Sequence, residues 1–186
     1  MKTRKILKVT AAVVLLLMGG SSMAQKTKMV GGAEMYPTQN IVENAVNSKD
    51  HTTLVAAVKA AGLVETLQSE GPFTVFAPTN AAFDKLPEGT VETLVKPENK
   101  AKLTAILTYH VIAGKVDSKS LAKMIKDGKG KATLTTVQGG KLIAKMQGDK
   151  VIIVDENGNA STVTIADVYQ SNGVIHVVDA VVLPKS

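Results

Sequence analysis

The spacing of apolar residues along this chain changes from about 3.6 to 2 near its middle, and that switch limits the possible folds more than any single motif. From Asn40 to about Lys126 the period is helical, with one strand embedded. Asp50 or Thr52 is placed to cap a helix carrying Leu54, Val55, Val58 and Ala61 on one stripe, and Gly62 closes it before Leu63, Val64 and Leu67 continue the apolar face. Gly71-Pro72 stops the helices, and Phe73–Ala77 is a short β-rich run. In the turn Pro78-Thr79-Asn80, Thr79 or Asn80 can cap the next helical turn through Phe83, and Pro97 suits the first position of a longer helix. The second half reads as a meander: Lys131–Val137, Lys141–Met146, Lys150–Val154 and Ser161–Val168, separated by glycine-bearing or asparagine-bearing turns. The last run, Val174–Leu183, is almost wholly apolar and predicts a central strand covered on both faces. Helices first and strands afterwards predict an α+β fold, not an alternating α/β one.

The first residues fit a secretory signal. Lys2, Arg4, Lys5 and Lys8 precede the apolar stretch Val9–Met18, and small residues at Ser22 and Ala24 fit cleavage before Gln25. That stretch is about half the roughly 20 apolar residues a membrane span needs, so no integral span is expected after cleavage. Residues 25–36 are polar, glycine-bearing and aperiodic, which predicts a flexible lead to a single domain over 37–186. The net charge of +6 falls to +2 without the signal, 18 basic residues against 16 acidic. With only 3% aromatic residues to stack on bases, that balance argues against a nucleic-acid partner. The absence of cysteine excludes a disulfide framework, thiolate metal sites and a cysteine nucleophile.

The three histidines are the residues best suited to chemistry. Leu103, Ile106, Leu107 and His110 stand at i, i+3, i+4 and i+7, which points the imidazole inward. A buried neutral ring satisfied by a carboxylate or main-chain carbonyl is weighed there against a catalytic base or metal ligand. His176 shares a strand face with Val174 and Val178 and takes the same reading. His51, beside Asp50 ahead of a helix, reads as a solvated loop residue. No pair of histidines has ligand spacing, so neither a metal nor a cofactor is expected. Gly128-Lys129-Gly130 reads as a helix C-terminal turn. Asp155-x-Asn157-x-Asn159 has the first ligand positions of a calcium loop, but Ala160 replaces the required glycine and Ala166 the bidentate glutamate, leaving a hairpin turn.

Two segments carry a resemblance. Residues 73–83, FTVFAPTNAAF, with Thr74, Phe76, Pro78, Thr79 and Asn80, are similar to the first signature of fasciclin-like (FAS1) domains. Residues 172–184, NGVIHVVDAVVLP, with Asn172, Gly173, His176 and Asp179, resemble the second, and Tyr109-His110 between them matches the family's Tyr-His motif. The resemblance implies a β-sandwich or wedge of about seven strands with helices packed along one edge. It also implies an exported, non-enzymatic binding module engaged in cell-surface or matrix adhesion, whose partner is a surface protein or a polysaccharide, periplasmic or extracellular. In animal members of the family, recognition is associated with the Tyr-His segment and with an Asp-Ile pair, which here is Asp167-Val168. Fold maintenance is weighed against recognition at both pairs. The alternatives are an envelope hydrolase using a histidine base and a small-ligand carrier, the latter requiring an apolar cavity of roughly 300 Å³ or more.

Overall fold

Strands that are buried on both faces must lie at the centre of the molecule, and two stretches have that property. In the computed structural model, which describes residues 26–185, strands β3 (Phe73–Pro78) and β9 (Gly173–Val178) pair in parallel, with Phe76 opposite His176. They are the second and third strands, inside the edge, of a seven-stranded mixed sheet in the order β4-β3-β9-β8-β7-β6-β5. The other strands are β4 (Val111–Ala113), β5 (Lys131–Thr135), β6 (Lys141–Gln147), β7 (Lys150–Val154) and β8 (Ala160–Gln170), all paired antiparallel to their neighbours. An isolated bridge from Ile112 to Thr136 brings the two edges together, so the sheet curls nearly into a barrel. The class is α+β, as the order of periodicities predicts.

Alternate residues of the two central strands feed separate cores. Val75, Ala77, Ile175 and Val177 face a helical layer in which α2 (Thr52–Ala61) supplies Leu54, Ala57 and Val58, and α6 (Lys100–Tyr109) supplies Leu103, Ile106 and Leu107. Phe76 and Val178 face the other way, into a core closed by Leu121 and Ile125 of α7 (Ser118–Asp127) over Ala132, Leu134, Leu142, Ala144 and Ile153. Short helices α1 (Ile41–Ala45), α3 (Val64–Gln68), α4 (Asn80–Phe83) and α5 (Thr90–Leu94) complete the helical layer.

Several caps follow the sequence directly. Gly62 ends α2 in the left-handed region at φ 71°, and Thr79 Oγ1 accepts a bond from Ala82 N at 3.3 Å. The start of α2 differs from expectation. Neither Asp50 nor Thr52 caps it; Asn80, from a distant turn, accepts hydrogen bonds from Thr53 N at 3.0 Å and Thr52 Oγ1 at 3.2 Å.

Four further expectations need correction. Residues 25–36 are not a flexible lead throughout: β1 (Lys28–Val30) and β2 (Ala33–Met35) form a hairpin through Gly31-Gly32, both at positive φ, and bury Val30 and Met35 in the helical core. His51 is not solvated; that hairpin covers it, with Lys49 N donating to Gly31 O, and the imidazole is buried in a 3₁₀ turn over Lys49–His51. A second strand, β4, lies inside the helical half. The last strand stops at Val178, because beyond it side chains from elsewhere take the main-chain donors that a ladder would otherwise use. The expected export signal, residues 1–24, lies outside the described residues, and among those described no helix is long and apolar enough to cross a membrane.

Candidate functional site

The Tyr-His pair sits where α6 runs out and β4 begins. Tyr109 ends the helix, fully buried, and its hydroxyl donates to Lys141 O at 2.7 Å while accepting from Glu156 N at 3.2 Å. It thereby holds the β5–β6 and β7–β8 turns to the helix end. Gly140 makes room for it, since a Cβ there would lie 2.7 Å from Tyr109 Cε2. His110 is the C-cap residue, and its Nδ1 lies 2.8 Å from Ile106 O while its Nε2 accepts from Val182 N at 3.2 Å. Nδ1 must therefore carry the proton. Burial pushes this imidazole down to about 4, against smaller opposing effects from the Ile106 carbonyl and Asp155.

His176 has the reverse tautomer. Its Nε2 donates to Val116 O at 2.8 Å, and its Nδ1 accepts from Asp167 N at 3.3 Å. Burial again lowers the pKa, with the Val116 carbonyl and Asp167 opposing. The ring stacks on Phe76 with centroids 5.6 Å apart, and Phe76 N donates to His110 O at 2.9 Å. The two imidazoles are thus joined through one residue of β3: His110 ties the end of α6 to the C-terminal segment, and His176 ties the loop after β4 to the irregular stretch of β8.

Asp167 stands at a break in the β8–β9 register and takes φ 56°, a left-handed conformation uncommon outside glycine. Its carboxylate accepts from Ser118 N at 2.6 Å and from the Ser118 hydroxyl, at the start of α7. Asp117 caps the same helix through Ser120 N at 2.8 Å and receives the Tyr169 hydroxyl at 3.4 Å. Serine, histidine and aspartate therefore meet here, but not as a relay. The serine hydroxyl donates to the carboxylate, and both nitrogens of His176 are spent on main chain. Val168 points into the helical core, buried.

The remaining signature residues are fasteners. Thr74 Oγ1 donates to Gly114 O at 2.6 Å and accepts from Val116 N at 2.8 Å. Asn172 accepts from Ile41 N at 3.0 Å and donates to Leu67 O and Ser69 O, both at 2.8 Å. Gly173 permits the parallel contact, because a Cβ there would fall 2.1 Å from Phe73 O. Pro78 ends β3 opposite Val178, and Asp179 accepts from Thr162 N at 2.7 Å and pairs with Lys85 at 3.7 Å.

Sequence reasoning missed Asp155 as a fastener. It is buried, and its carboxylate accepts from Asn157 N, Asn159 N and Leu183 N at 2.8–2.9 Å, tying the β7–β8 turn to the C-terminal segment. The Asp-x-Asn-x-Asn pattern announced the turn but not its reach to Leu183. Asn44 was also missed; it is fully buried and bonds both the amide and the carbonyl of Tyr36. Among the described residues, no group of three or more His, Asp or Glu side chains is arranged to hold a metal ion. An apolar cavity of about 70 Å³ lies between α2, α3, α6 and β3, with His110 in its wall. It is smaller than the roughly 150 Å³ void that admits benzene, and well below what the carrier reading requires.

The sequence model described as the Fasciclin domain matches residues 49–184. The chain belongs to the fasciclin family. Similar proteins include Protein sll1483 of Synechocystis sp., 49% identical over 160 residues that cover 86% of this chain and 82% of that one. Immunogenic protein MPB70 of Mycobacterium bovis is 37% identical over 147 residues, covering 76% and 67%. A solved FAS1 domain pair from the insect cell adhesion molecule Fasciclin I superposes with TM-score 0.69 at 19% identity, covering 78% of this chain and 51% of that one, which shows the shared fold. The fasciclin signatures are thus, in this chain, the residues that lock the two cores together.

Proposed function

We propose that this fasciclin domain is an exported, non-enzymatic binding module that mediates cell-surface or matrix adhesion through contacts with a protein or a polysaccharide. The observation that carries the reading is the use of every nitrogen on His110 and His176 in main-chain hydrogen bonds inside the protein. Those groups rigidify loops and leave the outer contour to meet a partner. The likeness to a fold found in an insect cell adhesion molecule agrees with that role. Tyr109, His110 and Val168 are buried and act in recognition only through the loops they hold, while Asp167 is half-buried and spends its carboxylate on Ser118.

The test uses the chain from Gln25 onward, fluorescently labelled, on intact cells of the producing organism. Saturable retention that unlabelled protein competes away, and that heat-unfolded protein lacks, is the expected result. Absence of saturable binding, or turnover of a panel of ester and glycoside substrates, overturns the proposal.

A further inference from the structure

Charge in this chain is segregated. Between residues 100 and 150 there are eleven lysines against three acidic residues, a net +8 within a signal-free total of +2. Two of those acids serve α7: Asp117 caps it, and Asp127 pairs with Lys123 at 2.7 Å. Apart from Met146, exposed near the end of β6, the strands of this segment alternate. Ala132, Leu134, Leu142, Ala144 and Ile153 point into the core, and so Lys131, Thr133, Thr135, Lys141, Lys145 and Lys150 stand on the solvent face.

The register places Lys131 of β5 directly opposite Lys145 of β6. Like charges so placed destabilise a sheet, and among the described residues neither lysine has an ion-pair partner. Lys145 faces Ile152 on β7, which puts Lys150 at the diagonal position, about 7–8 Å away across the strands. Lys131, Lys145 and Lys150 form a row across three strands, with the half-buried Ile152 beside it. Lys129, in the turn that leads into β5, extends the charge and holds φ 56° between Gly128 and Gly130, where glycine would be less strained. Asp149, in the β6–β7 turn, is the carboxylate nearest in sequence to this row. Glu156 lies at the other end of the strands, its amide bonded to the tyrosine that also holds Lys141.

We propose that this sheet face docks a linear acidic polysaccharide, with the row Lys131–Lys145–Lys150 meeting its successive carboxylates or sulfates. A repulsive cross-strand pair without an internal counter-ion is relieved by an external polyanion. Charges that recur along a sugar chain match a row of cations better than they match a point site. Thr133 and Thr135 supply hydroxyls for sugar hydroxyl groups. The face carries no aromatic side chain to stack bases, since every Phe and Tyr lies outside residues 110–168, so the observations favour a glycan over a nucleic acid. This deepens the binding-module reading and rests on it.

The test measures binding of the chain from Gln25 onward to polygalacturonate, with dextran as the neutral control and single-stranded DNA and anionic phospholipid vesicles as competing polyanions. The variant Lys131→Gln/Lys145→Gln/Lys150→Gln is compared with Lys59→Gln/Lys96→Gln/Lys102→Gln, which removes the same charge elsewhere. The expected result is a loss of about tenfold or more in polygalacturonate affinity and a shallower salt dependence for the face variant alone. The single change Lys131→Thr should raise Tm by about 1–3 °C by removing the like-charge pair. Equal loss in both triple variants, no binding to polygalacturonate, or tighter binding to DNA or vesicles overturns the proposal. Cell retention measured in parallel separates the two readings: retention without polygalacturonate binding removes only the glycan face, whereas loss of both removes the adhesion module as well.

Discussion

Lowering the pH should unlock this protein at His110 before it affects most of the surface. The imidazole is fully enclosed, and burial holds it at about 4 against an ordinary value near 6.5. The unfolded chain therefore takes up its proton first as pH falls. Stability is complete above pH 6.5 and declines through the interval down to about pH 4. The full interval is worth about 3 kcal/mol, and the part reached at pH 5 about 2 kcal/mol. His51 and His176 are shifted in the same direction, also chiefly by burial, and steepen the decline. Urea titrations of the wild type and of His110→Asn at pH 8 and pH 5 isolate the His110 contribution. At pH 8 the variant should be about 2–3 kcal/mol less stable, having lost the ring and at least one of its two main-chain bonds. At pH 5 the gap should nearly close, because the variant has no imidazole to protonate. Parallel stability curves for the two proteins would refute the claim that His110 is held neutral in the core.

Three further perturbations probe the fasteners. Tyr109→Phe keeps the buried ring but leaves Lys141 O and Glu156 N without their shared partner, and should lower the unfolding free energy by about 1–2 kcal/mol in urea. Gly173→Ala forces a Cβ to within 2.1 Å of Phe73 O, so the parallel β3–β9 pair must separate; a Tm lower by about 10 °C or outright failure to fold is expected, and an unchanged Tm would contradict the observed register. Asp167→Ala removes the acceptor for Ser118 and puts a residue that tolerates the left-handed region poorly at φ 56°, costing about 2 kcal/mol. Asp167→Asn, which accepts that conformation, should cost about half as much by thermal denaturation.

The sequence was most legible where one residue type has a single physical use. Gly62 ends its helix at positive φ, Thr79 caps the next, and the alternation from Lys131 to Val154 predicts both the strands and their inward residues. His110 follows from its place on the apolar stripe. The N-terminal hairpin was lost because strands of three residues each show one buried side chain, too few for a period, although Gly31-Gly32 marks its turn. His51 was misread for a related reason: its cover comes from that hairpin, not from its own neighbours. The candidate site was legible as a set of signatures, but the opposite tautomers of His110 and His176, and the link between them through Phe76, were not.

The division has a physical cause. Periodicity, capping residues and glycine placement act within a few residues, so the linear order of the chain already determined the α+β class, the strands β3 and β5 to β8, and the apolar stripes of α2 and α6. Pairing across the fold joins residues far apart in the chain, such as Phe76 with His176, Ile41 with Asn172 and Asp155 with Leu183. No local pattern encodes these contacts, because the free energy that selects them comes from closing both cores at once. Tertiary structure alone therefore decided which main-chain groups His110 and His176 fasten, that His51 is buried, and that the lysines of β5 to β7 stand together on one open face.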